Sequence, residues 1–271
     1  MKTRVVMLML CGAAVLCGCG RESAAPGTQA EEPQPGGLLD IAGTIQEDPA
    51  AAQQRCDGGE SQVCALLGMY YLEHEHDAER ALPLGQQGCE GGAGMGCTVA
   101  GMVHAQREVP DYAAARTFLD QACTLRDAAG CYNLGVMHHY GHGVPKDTGR
   151  AAELYAEACG MKAGVACYNL GLMHAAGEGR AVDHEQAATL YGRACELGSS
   201  EGCFSLGMMY FAGQGVRRSF ENARSLFLNA CDLGNHDGCD AYQQLKDAVE
   251  GTEVRLGRGG DRDVIGEQPG Q

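Results

Sequence analysis

Regularly spaced cysteines are the residues of this chain with the clearest chemistry. Six pairs share one arrangement, in which seven residues separate two cysteines, as in CGMKAGVAC. The pairs are Cys56 and Cys64, Cys89 and Cys97, Cys123 and Cys131, Cys159 and Cys167, Cys195 and Cys203, and Cys231 and Cys239. Paired thiols can form a disulfide or bind zinc, but zinc sites usually contain a Cys-x2-Cys step, and this chain has none. We therefore expect disulfides and no metal site.

A disulfide between residues eight positions apart requires a sharp turn of the chain. Along one straight helix such residues lie about 12 Å apart, whereas bridged Cα atoms lie roughly 4.4–6.8 Å apart. Glycines such as Gly160, Gly164 and Gly198 stand between the cysteines and would break a helix there. The spacing therefore predicts that each pair closes a corner between two helices, provided that the compartment is oxidising.

The elements that position these cysteines recur with the period of a helix-pair solenoid. The first cysteines of successive pairs are 33, 34, 36, 36 and 36 residues apart. Ala151, Leu154, Tyr155 and Ala158 show the three-and-four spacing of an amphipathic helix, and no sustained alternation of period two indicates strands. Four residues after the second cysteine, every complete unit has a glycine, which favours close helix contact. These glycines are Gly68, Gly101, Gly135, Gly171 and Gly207.

The pattern A-x2-LY-x2-AC-x7-C-x2-LG-x-M, clearest in the last three units, resembles the Sel1-like repeat, a relative of the tetratricopeptide repeat. The paired cysteines make the chain similar to the secreted Helicobacter cysteine-rich proteins. The resemblance covers residues 48–249. It implies an all-α fold, an α/α solenoid (superhelix) with a disulfide per repeat that serves as a scaffold for protein or peptide partners. Some cysteine-rich members are described as penicillin-binding and as slow β-lactamases.

The first residues have the features of a targeting signal. Lys2 and Arg4 precede an apolar run from Val5 to Leu16, which is shorter than the about 20 residues of a spanning helix. The LCGC ending resembles a bacterial lipobox, in which Cys19 would be lipidated after cleavage. We predict a lipoprotein signal peptide at residues 1–18, a flexible tether at 19–43, a repeat domain at 44–250 and a disordered tail at 251–271. Cleavage without lipidation, followed by secretion, is the alternative.

The charge of the chain restricts its partners. The formal net charge is −15, and such a surface repels nucleic acid and anionic lipid headgroups. Membrane attachment would therefore come from the N-terminal lipid. Gly20, where an aspartate would retain a lipoprotein at the inner membrane, favours the outer membrane, facing the periplasm or the exterior. We expect a monomer that binds a protein or peptide and needs no cofactor.

The sequence gives little support to a catalytic site. A serine β-lactamase needs Ser-x-x-Lys, yet no serine of this chain is followed by lysine at the third position, and neither Ser-Asp-Asn nor Lys-Thr-Gly occurs. The stretch His74-Glu75-His76-Asp77 is the best local metal candidate, but it lacks a partner cluster. We predict a non-catalytic scaffold. The competing class is a β-lactam-binding protein or weakly β-lactam-hydrolysing enzyme.

A row of aromatic and imidazole side chains forms the candidate groove. It stands seven residues after the second cysteine of each unit, on the first helix: Tyr71, His104, His138, His174 and Tyr210. Stacked helices repeat at roughly 8–10 Å, which is too far for two histidines to bind one zinc ion. Two interpretations stay open. The residues either pack between helices or form a pH-sensitive binding surface that gains charge near the unperturbed histidine pKa of about 6.5.

Overall fold

The computed structural model describes residue 43 and residues 45–258 of the chain. Within this part the regular structure is helical and contains no strand, which confirms the all-α prediction. The predicted signal peptide, the lipidation site Cys19 and the tether up to residue 42 lie outside the described residues. No helix in the described part is both long enough and apolar enough to cross a membrane.

The helices alternate between two types, A and B, and one A helix with the following B helix forms a repeat. The A helices are α2 (Ser61–Glu73), α4 (Gly94–Gln106), α6 (Ala128–Tyr140), α8 (Gly164–Ala176) and α10 (Ser200–Ala212). The B helices are α3 (Ala78–Glu90), α5 (Tyr112–Thr124), α7 (Thr148–Gly160), α9 (His184–Glu196) and α11 (Phe220–Asp232). We number these pairs repeat 1 (α2 and α3) to repeat 5 (α10 and α11).

A further helix stands at each end of the array. A B-type helix, α1 (Pro49–Asp57), precedes repeat 1, and an A-type helix, α12 (His236–Arg258), follows repeat 5. The last helix continues past residue 250, so the segment that the sequence assigned to a disordered tail begins as helix. The remainder of that tail, residues 259–271, lies outside the described residues.

Local sequence determines where the B helices begin. Each starts after a side chain whose oxygen accepts the backbone N–H three residues later, which satisfies a donor that the helix itself cannot. These N-cap residues are Asp77, Asp111, Asp147, Asp183 and Ser219. In repeats 3 to 5 the A helix ends at a glycine in the left-handed conformation, which is Gly141, Gly177 or Gly213. The shorter loops of repeats 1 and 2 lack such a glycine.

The two helices of a repeat approach closely at the predicted glycine of the A helix. A Cβ atom on Gly135 would lie 2.8 Å from two carbons of the Tyr155 ring, and one on Gly171 would lie 2.7 Å from a carbon of the Tyr191 ring. Such distances are shorter than real side-chain contacts allow, so only glycine fits against these buried rings. The prediction of close helix approach is confirmed.

Disulfides connect the repeats to one another. All six predicted pairs are bridged, and their Cα atoms lie 4.5–4.8 Å apart. The bridges join Cys56 to Cys64, Cys89 to Cys97, Cys123 to Cys131, Cys159 to Cys167, Cys195 to Cys203 and Cys231 to Cys239. The predicted pairing and the corner geometry are both confirmed.

Each bridge joins the end of a B helix to the start of the next A helix. The second cysteine of every pair lies in the first turn of an A-type helix: Cys64, Cys97, Cys131, Cys167, Cys203 and Cys239. The first five of these are buried, whereas Cys239 is only partly buried, because no further repeat packs on α12 in the described part of the chain. The covalent links therefore run along the solenoid from unit to unit.

The A helices form the inner layer of the array. Helix α2 contacts α4, α4 contacts α6, and α8 contacts α10, in addition to the contacts that each A helix makes with its own B helix. Elements on the inner side of a curved solenoid lie closer to their counterparts than those on the outer side. The A helices are therefore the layer on which a repeat protein presents its extended binding surface.

Candidate functional site

Three of the five residues of the predicted groove contact a side chain of their own repeat. The guanidinium carbon of Arg80 lies 4.3 Å from the centre of the Tyr71 ring, and the buried His104 stacks on Phe118 with ring centres 5.6 Å apart. In repeat 4, Nη1 of Arg180 lies 2.8 Å from Nε2 of His174. His138 and Tyr210 are partly buried. These contacts support packing within each repeat, and Tyr71 also lines an open groove, described below.

The backbone of the same five residues has one common role. The carbonyl of each accepts a hydrogen bond from the backbone N–H of the N-cap residue of the following B helix. The donor and acceptor pairs are Asp77 and Tyr71 at 2.8 Å, Asp111 and His104 at 3.0 Å, Asp147 and His138 at 2.8 Å, Asp183 and His174 at 2.9 Å, and Ser219 and Tyr210 at 3.0 Å. The position thus marks the point at which the loop returns to the A helix, whatever the length of the loop.

The electrostatic environment of two histidines argues against charge gain near neutral pH. Burial lowers the pKa of His104, and the nearby Arg107 lowers it further, against an opposing effect of Asp111. Burial likewise lowers the pKa of His174, followed by Arg180. The unperturbed value assumed from the sequence is therefore wrong for these two imidazoles, since both stay neutral to lower pH than a solvated histidine.

A second row on the A helices is apolar in every repeat and was missed by the sequence analysis. It lies five residues after the second cysteine: Met69, Met102, Val136, Leu172 and Met208. Met102 and Val136 are 3% and 6% exposed, whereas Leu172 and Met208 are 40% and 44% exposed. The apolar residue at this position in all five repeats could have revealed the row from the sequence. The exposure of its last two members could not be deduced from the repeat pattern.

An open groove lies at the N-terminal end of the array, between α1 and repeat 1. The volume of this groove is about 640 Å³. Its lining comes from the start of α1, the end of α2 and the start of α3: Asp48, Pro49, Ala50, Gln53, Gln54, Tyr70, Tyr71, Glu75 and Arg80. The Tyr70 and Tyr71 rings meet edge to face with centres 5.6 Å apart, and the Tyr70 hydroxyl donates a hydrogen bond of 3.2 Å to Glu75.

Two serines and the twelve paired cysteines of the described part have structural roles. The hydroxyls of Ser199 and Ser219 accept backbone N–H groups at helix starts. In the described part of the chain, one set of three potential ligands lies close together, namely Cys123, Cys131 and Glu157. Both sulfurs of that set belong to a disulfide, so neither is the thiolate that metal binding requires.

Comparison with known proteins identifies the repeat. A family model for the Sel1 repeat matches residues 128–161, 164–199 and 200–235, which correspond to repeats 3, 4 and 5 of the structure. A curated protein of Helicobacter pylori (strain J99), "Putative beta-lactamase HcpC", is 43% identical over 37 residues. That match covers 14% of this chain and 13% of the relative.

Solved structures show the same fold at low sequence identity. A Sel1 repeat protein from Oxalobacter formigenes aligns with a TM-score of 0.68 at 19% identity, over 76% of this chain and 64% of that one. A putative sel1 repeat protein from Klebsiella pneumoniae aligns with a TM-score of 0.52 at 20% identity, over 73% of this chain and 98% of that one. These likenesses concern the helical architecture alone.

Proposed function

This chain carries Sel1 repeats, and we propose that it is a non-catalytic lipoprotein scaffold of the bacterial cell envelope that binds protein or peptide partners through its A helices. One observation carries the proposal. Leu172 and Met208 occupy equivalent positions on α8 and α10, which contact each other, and both side chains are 40% or more exposed. Exposed apolar patches mark interaction sites, and these two exposed side chains lie on neighbouring A helices.

The chemistry of this surface, which we call the A-helix face, suits a peptide. Phe211, on the same helix as Met208, is 43% exposed. Leucine, methionine and phenylalanine present adaptable apolar area, and the unbranched thioether of methionine adjusts to differently shaped partners. Partly buried Asn169 and Ser205 lie three residues before the two exposed residues on the same helices and add polar groups beside them.

The disulfides support both the scaffold role and the envelope location. A binding face that is rigid before the partner arrives loses less conformational entropy on binding, and bridges between successive repeats restrict movement between units. Six disulfides in a chain of this size are typical of an oxidising compartment. That compartment is consistent with export and with a lipid anchor on Cys19 that holds the protein at the outer membrane, facing the periplasm or the exterior.

Paired charge variants test the binding face. We expect L172E/M208E to reduce the capture of envelope proteins by the immobilised, oxidised protein at least tenfold, because a buried unpaired carboxylate opposes apolar contact. The control is L125E/L233E, which changes two comparably exposed leucines that directly follow the B helices α5 and α11. Equal loss in both variants, or capture unaffected by either, would refute the assignment to the A-helix face.

Lipidation has its own test. We expect C19S to prevent acylation and to move the protein from the membrane pellet to a soluble fraction, with a mass that lacks the acyl chains. A pellet-bound C19S variant with the mass of the wild type would contradict the lipoprotein assignment while leaving the binding proposal standing.

A β-lactam hydrolase is the second candidate, and only the name of the partial Helicobacter pylori relative favours it. The chain lacks Ser-x-x-Lys, and in the structure Ser199 and Ser219 cap helices. We expect the purified, oxidised protein to leave nitrocefin unhydrolysed above the buffer rate. Turnover that survives purification to constant specific activity would favour the enzyme instead.

A further inference from the structure

The groove at the N-terminal end lies beside the shortest loop between two helices of one repeat. In repeats 3 to 5 the loop contains Gly-x-Gly, and its second glycine packs on the first residue of the preceding B helix. The contacts join Gly143 to Tyr112, Gly179 to Thr148 and Gly215 to His184. In repeat 1 the loop spans only residues 74–77 and has no glycine. The equivalent first residue of α1 is Pro49, and it lines the open groove instead of lying under a loop.

In repeat 3 an imidazole lies at the joint between the loop and the preceding B helix. His142, which lies between the two loop glycines, stacks on Tyr112 at 5.5 Å and on Tyr140 at 5.8 Å between ring centres. Repeat 3 thus places a nitrogen-containing planar group between two aromatic rings at this joint. Beside repeat 1 the positions of Tyr112 and Tyr140 hold Pro49 and Glu73, and the groove is lined instead by Tyr70 and Tyr71 of the A helix.

The groove already holds one cation against an aromatic ring. The Arg80 guanidinium lies over Tyr71 at 4.3 Å, and its Nε donates a hydrogen bond of 2.6 Å to Asp77. This contact shows that a guanidinium can lie on an aromatic ring face in this groove.

The second tyrosine of the groove has different neighbours. The Tyr70 ring lies beside the His74 ring, with centres 5.3 Å apart. Desolvation and the hydrogen bond to Glu75 raise the pKa of the Tyr70 hydroxyl, so that the ring stays neutral. Asp48 and Glu75 contribute two carboxylates to the lining. The side of the groove at Tyr70 therefore combines an aromatic ring with negative charge.

We propose that this groove binds a lysine or arginine side chain of a partner segment, held by the Tyr70 ring and by the carboxylates of Glu75 and Asp48. The proposal deepens the proposed scaffold function and rests on it. An exposed cation–π contact is worth about 0.5–1 kcal/mol, and an exposed ion pair contributes a similar amount. The net charge of −15 favours the approach of a basic segment over the whole surface.

The probe is a short fluorescein-labelled glycine–serine peptide that carries arginines, compared with the same peptide carrying citrulline, by fluorescence anisotropy. Citrulline keeps the shape of arginine and removes its charge. We expect tighter binding of the arginine peptide, and weakening of that binding by roughly two- to fivefold in Y70A and in E75Q. R80Q should strengthen it, because a competing positive charge leaves the groove.

Matched variants separate the groove from general electrostatics. Arg150 stands three residues after the N-cap of α7, as Arg80 does in α3, so R150Q should leave the affinity unchanged. E196Q removes an exposed carboxylate far along the chain and should also have no effect. Y70F keeps the ring and should retain binding if Y70A loses it, and a circular dichroism spectrum of Y70A that matches the wild type excludes a folding defect.

Equal binding of the arginine and citrulline peptides would overturn the proposal. So would an arginine affinity that is the same in wild type, Y70A and E75Q, because the cation would then bind elsewhere. Either result leaves the scaffold function intact if L172E/M208E still reduces capture of envelope proteins at least tenfold. Loss of that second effect would refute the scaffold function independently of the groove.

Discussion

The backbone N–H of Asp147 donates a hydrogen bond of 2.8 Å to the backbone carbonyl of His138. The side chain of the same aspartate accepts the backbone N–H of Arg150 at 2.9 Å. One residue therefore closes the loop onto the A helix and starts the B helix. The equivalent bonds recur in all five repeats, although the loops differ in length.

Removal of this cap should destabilise the protein. We expect D147A to lower the free energy of unfolding by about 1 kcal/mol, because an N–H at the start of α7 loses its partner. D147N keeps an oxygen at the same place and should stay close to the wild type. Urea unfolding followed by circular dichroism gives both values. A D147A midpoint equal to that of the wild type would show that the side chain contributes nothing.

The bridge between repeats 3 and 4 should contribute more. We expect C159A/C167A to lose about 2.5 kcal/mol, the chain-entropy value for closing a loop of about nine residues. The measurement is urea unfolding under oxidising conditions. Added reductant should shift the wild type further than this variant, which already lacks one bridge. A non-reducing peptide map that joins Cys131 to Cys159 would contradict the pairing.

A methyl group at the helix crossing of repeat 4 should not fit. The Cβ of G171A would lie 2.7 Å from a carbon of the Tyr191 ring, so we expect a loss of roughly 1–3 kcal/mol from overpacking. Gly160, at the end of α7, has no heavy atom within 4 Å of the equivalent position. G160A is therefore the matched control, and it should be neutral or stabilising by up to about 1 kcal/mol. A fully stable G171A would disprove the close approach.

The buried imidazole of repeat 2 should make stability depend on pH. Burial lowers the pKa of His104 in the folded state, so the unfolded chain binds the proton first as the pH falls through about 6.5. The stability that the neutral imidazole contributes is therefore present above that pH and is lost below it. We expect the difference in unfolding free energy between wild type and H104Q to shrink from pH 7.5 to pH 5.5. Parallel pH curves for the two proteins would contradict this assignment.

Much of the fold could be predicted because it depends on short-range spacing. The step from Cys159 to Cys167 determines a corner by covalent geometry alone, and Gly171 in register with its counterparts indicates a helix crossing. The exposure of Leu172 could not be predicted in this way, since the equivalent Val136 is buried. That difference depends on how neighbouring A helices stack, which no single repeat specifies.

In the candidate site, too, some features could be predicted from the sequence and others could not. Spacing placed Tyr71 and His104 on the A helices, but it could not say which group each ring would contact. The groove beside Tyr71 lies between α1 and the short loop of repeat 1. The sequence shows that this loop is short, but not that α1 packs beside it. The length of a loop therefore does not predict a groove until the elements that pack beside that loop are known.

Site-specific photo-crosslinking in intact cells tests the central claim, that partners bind the A-helix face, most directly. A benzophenone amino acid would replace Leu172 or Met208 in one set of variants, and Leu125 or Leu233 in the control set, all of which are exposed. We predict discrete adducts of one partner from positions 172 and 208, and none from 125 and 233. Adducts of equal yield from both sets, or from the control positions alone, would contradict binding at the A-helix face.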